Sequence, residues 1–177
     1  MRKLVASTPK AELKGAVMNS LFLTIKYDEI AAILEKYDLK DLDPEQWYPQ
    51  QIMLDVYKDI EERKFNVGEN LVSIGMKIME VAAFPPAVDS VEKALPGLLI
   101  AYNTDHRYHT EKGWIVDVVR PGKAFMTADN PYPDDQHYGL LWALVRRFSP
   151  EGTQFTVTRI PPDDPDGNTV FEIEWEV

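Results

Sequence analysis

The chain changes its hydrophobic period once, near Gly113, and that change limits the folds open to it. Before Gly113, apolar residues recur three and four apart, the spacing that puts side chains on one face of a helix. Tyr27 to Tyr37 carries Ile30, Ile33, Leu34 and Tyr37 on one stripe, and Gln50 to Arg63 carries Ile52, Met53, Val56, Tyr57 and Ile60. A third helix is predicted from Val67 to Ala83 with Leu71, Ile74, Ile78 and Val81 on its apolar face. Pro85-Pro86 ends it, because proline removes a donor and restricts the residue before it. A fourth helix starts near Val88 and carries Val91, Ala94, Leu95, Leu98 and Leu99, with Pro96-Gly97 predicting a kink or an early stop. Asp43-Pro44 marks a helix start or turn ahead of Trp47-Tyr48-Pro49.

After Gly113 the period shortens. Trp114 to Val119 and Lys123 to Ala128 read as strands joined by the turn Arg120-Pro121-Gly122. A helix follows to Phe148, capped by Asp134 or Asp135, with His137, Leu141, Leu144 and Phe148 on one face. Thr153 to Ile160 is the next strand, and residues 161–168 form a long hairpin loop. In the closing strand Phe171, Ile173, Trp175 and Val177 alternate with Glu172, Glu174 and Glu176, so one face is buried and the other solvated. The predicted class is α+β, with a helical N-terminal half packed on a four-stranded antiparallel sheet of ββαββ C-terminal order. Residues 1–177 read as a single domain, with 1–10 as a flexible N-terminus.

Bulk properties remove several functions. No run approaches the roughly 18 apolar residues of a membrane span, and no apolar stretch follows the basic start, so the reading is a cytoplasmic protein without a secretory signal. The absence of cysteine excludes disulfides, thiolate metal sites and cysteine nucleophiles. A formal charge of -10 argues against a nucleic-acid partner. That acidity serves solubility or presents a patch to a cationic partner. The motifs of serine hydrolases, nucleoside triphosphatases and dinucleotide-binding enzymes are absent, so the chain reads as non-enzymatic.

Particular segments resemble one known group. Leu13 to Leu21 looks like its short Lys-Gly-apolar-Asn opening, and Trp47-Tyr48-Pro49 like the entry to its third helix. Tyr138-Gly139-Leu140-Leu141-Trp142-Ala143-Leu144 resembles the helix between its two hairpins, and Phe171-Glu172-Ile173-Glu174-Trp175 its closing strand. These segments are similar to the ligand-binding fold shared by haem nitric-oxide-binding domains, 4-vinyl reductase domains and TRAPP vesicle-tethering subunits. The resemblance implies a helical layer against a sheet, an apolar pocket between them, and often a dimer. It also brings departures. Haem members carry a proximal histidine and a Tyr-x-Ser-x-Arg motif for the propionates, and that motif is missing here, which argues against haem. The cysteines of the other two groups are missing as well.

Two sets of residues are candidates for a site. Trp47, Tyr57, Met76, Met79, Tyr102, Trp114, Phe125, Tyr138 and Trp142 line an apolar pocket for a small apolar ligand or simply fill the core. His106 and His109, flanked by Asp105 and Glu111, have the spacing of a divalent-metal site, as a metal-dependent enzyme would need, or belong to an exposed polar loop. His137 is a capping or partly buried histidine or a ligand sensor. The pairs Asp134-Asp135 and Asp163-Asp164 sit in turn-like composition, which needs no catalysis. The leading expectation is a non-enzymatic ligand-binding or sensory domain; the alternative is a homodimeric interaction module.

Overall fold

The computed structural model describes residues 4–22, 27–62, 67–164 and 167–177. The helical half and the ββαββ half are both present, and the chain is α+β. Helix α1 (Gly15–Phe22) and helix α2 (Tyr27–Lys36) precede α3 (Gln50–Glu62), which turns Gln50, Met53, Leu54, Val56, Tyr57 and Ile60 inward. That set is one stripe of three- and four-residue steps, so burial of one face explains why the segment is helical. Helix α4 (Val67–Val81) follows and buries Leu71, Ile74 and Met79. The side chains of Ile30 and Val81 lie outside the described residues.

Helix α5 (Val91–Asp105) does not stop at Pro96-Gly97 but runs on to Asp105. Pro96 lies on the exposed side, and the buried stripe Val91, Ala94, Leu95, Leu98, Tyr102 continues past it. Packing of that stripe outweighs the one backbone hydrogen bond that proline removes.

In the second half β4 (Gly113–Arg120), β5 (Lys123–Asp129), β6 (Phe155–Ile160) and β7 (Val170–Trp175) form an antiparallel sheet in the order β4-β5-β7-β6. Helix α6 (Asp134–Phe148) lies between the hairpins in sequence. Phe171, Ile173 and Trp175 are buried, and Phe155 and Val157 stand opposite Trp175 and Ile173 on β6. Glu172 and Glu174 face the other way and pair with Lys123. Val177 does not extend this alternation: β7 ends at Trp175, and Val177 is 88% exposed.

Helix α6 starts after Pro133, and no side chain caps it there, so neither Asp134 nor Asp135 is its cap. Both aspartates sit in the first turn instead, where their charge complements the helix dipole. Asp134 accepts a hydrogen bond from Thr169 Oγ1 at 2.8 Å, and Asp135 pairs with Arg159.

Sequence periodicity missed a second, smaller sheet. β1 (Glu12–Lys14) pairs on one side with β2 (Trp47–Pro49) and on the other with β3 (His106–Arg107). Strands of two and three residues are too short to show alternation. Among the described residues, no helix is long and apolar enough to cross a membrane.

Candidate functional site

The small sheet brings together residues that are far apart in sequence. Gln50 follows β2 directly as the first residue of α3, His106 opens β3, and Tyr102 lies one turn earlier on α5. Tyr132, in the connection between β5 and α6, completes the group. All four are buried. A buried network of polar side chains is costly unless its hydrogen bonds are made, so each bond matters here.

The proton positions follow from the partners. His106 Nδ1 lies 3.0 Å from the Tyr102 carbonyl, which can only accept, so Nδ1 carries the hydrogen. Nε2 is then the acceptor, and the Tyr132 hydroxyl donates to it at 2.6 Å. Burial pushes the His106 ring down to about 4, which keeps this tautomer neutral. The His106 ring also stacks on Tyr102, 4.0 Å between centroids and 8° from parallel. Tyr102 donates to Glu111 Oε1 at 2.5 Å. Burial alone would raise Glu111, but hydrogen bonds from Ser7 and Tyr102 hold it below its usual value. Burial and the nearby Tyr132 and Glu111 raise the Tyr102 phenol, so it stays a donor.

With both tyrosine hydroxyls already donating elsewhere, the Gln50 amide must turn its NH2 toward them. Nε2 lies 3.4 Å from each hydroxyl oxygen. Gln50 Oε1 is left buried with no partner among the described residues. Two turns along the same face of the helix, the Tyr57 hydroxyl is also buried and also has no partner there. The Tyr57 ring meets Tyr132 edge-on at 6.1 Å. Among the described residues, α3 thus carries two unsatisfied polar groups on one face, both against Tyr132, and each calls for an explanation.

A second polar group lies at the start of α6. Asn130 donates to the Gly113 carbonyl at 2.8 Å, so its Oδ1 accepts from His137 Nε2 at 2.7 Å. His137 is 2% exposed and lies edge-on to Trp114 at 4.9 Å. This ties α6 to the sheet. Gly113 has a φ of +82°, and a Cβ there would lie 2.4 Å from the Tyr102 ring. Only glycine allows β4 to begin this close to α5.

The nine pocket candidates are not gathered into one lining. Tyr57 and Tyr102 share the network, and Trp114 packs on His137. Met79 is buried on α4, with Met76 half-buried on the same helix. Phe125 points to the outer face of the sheet, where Lys123 lies 5.4 Å over its ring. Trp142 packs on Phe155 near Arg146. Trp47 stacks under Arg107 at 4.4 Å on the small sheet, and Tyr138 is half-buried on α6. A surface cleft of about 530 Å3 opens elsewhere, between residues 89–92, 148–153 and 175–177, and none of the nine lines it.

His106 is not in an exposed loop but in the core, with both ring nitrogens bonded, because β3 carries it under the small sheet. His109 is largely covered and bonds the Glu111 carbonyl through Nδ1 at 2.9 Å. Among the described residues, no group of three or more His, Asp or Glu side chains is arranged to hold a metal ion. The sequence did carry one signal for the network: Gln50 occupies the same stripe as Met53, Leu54 and Tyr57. A polar residue on an apolar face has to find partners.

No protein-family model matches the sequence, and no curated protein matches it by sequence. Solved structures do match in shape. An H-NOX protein from S. oneidensis in the Fe(II)NO ligation state is similar with a TM-score of 0.66 and 15% identity, over 93% of this chain and 100% of that one. A variant of Tt H-NOX is similar with a TM-score of 0.68 and 14% identity, over 93% and 96%. A mutant Fe(II) unliganded H-NOX protein from K. algicida gives 0.67 and 11%, over 93% and 97%. The fold resemblance suggested by the sequence segments is therefore to H-NOX domains.

His106 does not fit the axial position of a haem. An axial histidine needs a ring nitrogen free to face the iron. Both nitrogens of His106 are engaged, Nε2 of His137 is held by Asn130, and His109 gives Nδ1 to the Glu111 carbonyl. The buried side chains of α5 are Val91, Ala94, Leu95, Leu98 and Tyr102, none with a ring nitrogen. Where α4 crosses α6 the backbones touch: a Cβ on Gly75 would lie 2.0 Å from the Gln136 carbonyl oxygen, and one on Gly139 would lie 2.0 Å from that of Val72.

Proposed function

We propose, for a chain with the H-NOX fold, a non-enzymatic sensory domain that binds a small molecule without haem. In this reading the domain works in the cytoplasm, and the ligand is held at the Gln50–Tyr57–Tyr132 face of α3. One observation carries the reading: Gln50 Oε1 and the Tyr57 hydroxyl are fully buried hydrogen-bonding groups with no partner among the described residues. A group left in this way costs about 1–3 kcal/mol, and functional sites are where such costs are retained. The fold supports the same reading, since its solved neighbours include a protein described by its Fe(II)NO ligation state.

Tyr57→Phe tests it. Removing an unpartnered buried hydroxyl should leave stability equal or higher by up to about 1 kcal/mol, while binding of any small-molecule hit is lost. A ligand-observed NMR screen with wild type and variant reads both. Hits that bind the variant equally well would refute the site, and a variant destabilised by several kcal/mol would show that Tyr57 has a structural partner instead.

A second reading has its own observation. Ile115, Thr127, Val170 and Ile160 stand in one row across the sheet face turned away from α6, with Ile115 41% and Ile160 39% exposed. Such a row suits a homodimeric interaction module. Light scattering tests it: a monomer at high concentration, unchanged by Ile115→Glu, removes the dimer.

A further inference from the structure

Residues 4–10 cross the outside of the polar network, and the manner of their attachment is informative. They pair with no strand. Leu4 is buried, but Val5 is 54% exposed. Among the described residues, the remaining attachments run through side chains at two points. At α3, Gln51 accepts from the Ala6 N–H at 2.9 Å and donates to the Leu4 carbonyl at 3.2 Å. At the loop after β3, Thr8 donates to the Tyr108 carbonyl at 2.8 Å, and Ser7 Oγ accepts from the Thr110 N–H at 3.0 Å. Ser7 also bonds the Glu111 carboxylate, the group that holds Tyr102. Under this segment the Glu111 side chain is only 8% exposed and that of His109 11%.

The loop beneath is held in a costly shape. Tyr108 has a φ of +59°, in the left-handed region that a side chain with a Cβ disfavours, and its ring is exposed. The Thr8 bond to its carbonyl is one of the contacts that keep it there. A segment held by a few side-chain bonds and the burial of Leu4, over a strained loop, belongs to the part of a protein that opens ahead of its strands. Its hinge is the turn at Thr8–Ala11, closed by the Ala11 N–H to Thr8 carbonyl bond at 3.1 Å just before β1.

The interior defines what passes beneath it. Gln50, Tyr57, Tyr102, Tyr132 and His106 are neutral, and no lysine or arginine belongs to the network. Glu111 is already satisfied by Tyr102, Ser7 and the Thr110 N–H. An ion entering would be desolvated without a counter-charge. Gln50 Oε1 can only accept, so its partner must donate.

We propose that residues 4–8 are a lid over this network, and that the ligand it admits is a small neutral molecule carrying a hydrogen-bond donor. The proposal rests on the reading of the network as the binding site. Tetranitromethane nitration of the full chain tests the lid, with exposed Tyr108 as internal reference. In the Ser7→Ala/Gln51→Ala double variant, Tyr102 should be nitrated about fivefold faster than in wild type relative to Tyr108. Hydrogen exchange of the wild type gives a second readout that needs no variant: the Ala6 and Thr110 amides should exchange together and well ahead of the β5–β7 ladder. Equal nitration, or exchange of both amides at the rate of that ladder, overturns the lid.

The ligand class is tested separately by saturation-transfer NMR with acetamide and with acetate, its charged analogue. Acetamide should show transfer from wild type and lose it in Tyr57→Phe, while acetate shows none. Equal or stronger transfer to acetate overturns the neutral class. Normal lid opening without any Tyr57-dependent transfer sinks the site and leaves the lid standing. Tyr57-dependent transfer with equal nitration does the reverse.

Discussion

His106 shows what burial does to one side chain. Its ring is pushed down to about 4 against an ordinary 6.5, with burial the largest cause. Between those values the unfolded chain takes up a proton that the folded chain refuses. Stability contributed by this residue is therefore complete above about 6.5 and is lost as pH falls through the window to about 4. The loss amounts to on the order of 3 kcal/mol. Urea midpoints at pH 7, 6 and 5 should fall for wild type, and the fall should be shallower in His106→Phe. Equal slopes would mean that the ring is not held neutral in the fold. Trp175 makes the complementary case on the sheet. It is 7% exposed against Phe155, so Trp175→Ala should cost about 3–5 kcal/mol. Glu174 meets Lys123 and Arg120 at the surface, and Glu174→Ala should cost no more than about 1 kcal/mol by chemical denaturation.

At the scale of elements, the α4–α6 crossing is a joint where two backbones touch. Gly75 and Gly139 let the two backbones meet, and each leaves no room for a methyl group. Gly139→Ala would place a Cβ against the Val72 carbonyl, and neither backbone can move without parting the helices. The expected cost is at least about 1–3 kcal/mol, as for an overpacked core. Thermal melting of this variant beside Gly152→Ala separates space from propensity. Gly152 has open space around it but a φ of +86°, so its cost is conformational alone. A Gly139→Ala variant melting with wild type would show that the helices sit farther apart.

For the whole molecule, the H-NOX fold and the side chains within it point in different directions. The backbone layers match H-NOX domains over 93% of the chain, yet both ring nitrogens of the buried His106 are already bonded to the protein. Adding haemin to the folded chain should give only weak, non-stoichiometric absorbance near the Soret position, unchanged by His106→Phe, His109→Phe and His137→Phe. A sharp one-to-one band abolished by one of these substitutions would restore a haem reading of the fold.

Much of this was legible in the residues taken in order. The three- and four-residue steps of α3, the alternation of Phe171, Ile173 and Trp175, and the turn at Pro121-Gly122 are local patterns, and burial of one face makes each a local decision. The closing strand's register with Phe155 and Val157 followed, because a slip of one residue would turn Glu172 and Glu174 into the core. The candidate site was not legible in the same way. Gln50, Tyr102, His106 and Tyr132 are joined by strands two and three residues long, which pair segments such as Leu13 and His106 far apart in the chain. A hydrogen-bond network of this kind leaves no period in the sequence, since the bonded Gln50, Tyr102, His106 and Tyr132 share neither a helix face nor a strand. Sequence alone determined which faces are buried; the tertiary structure decided which polar groups meet there, because contacts between distant segments depend on how the layers close.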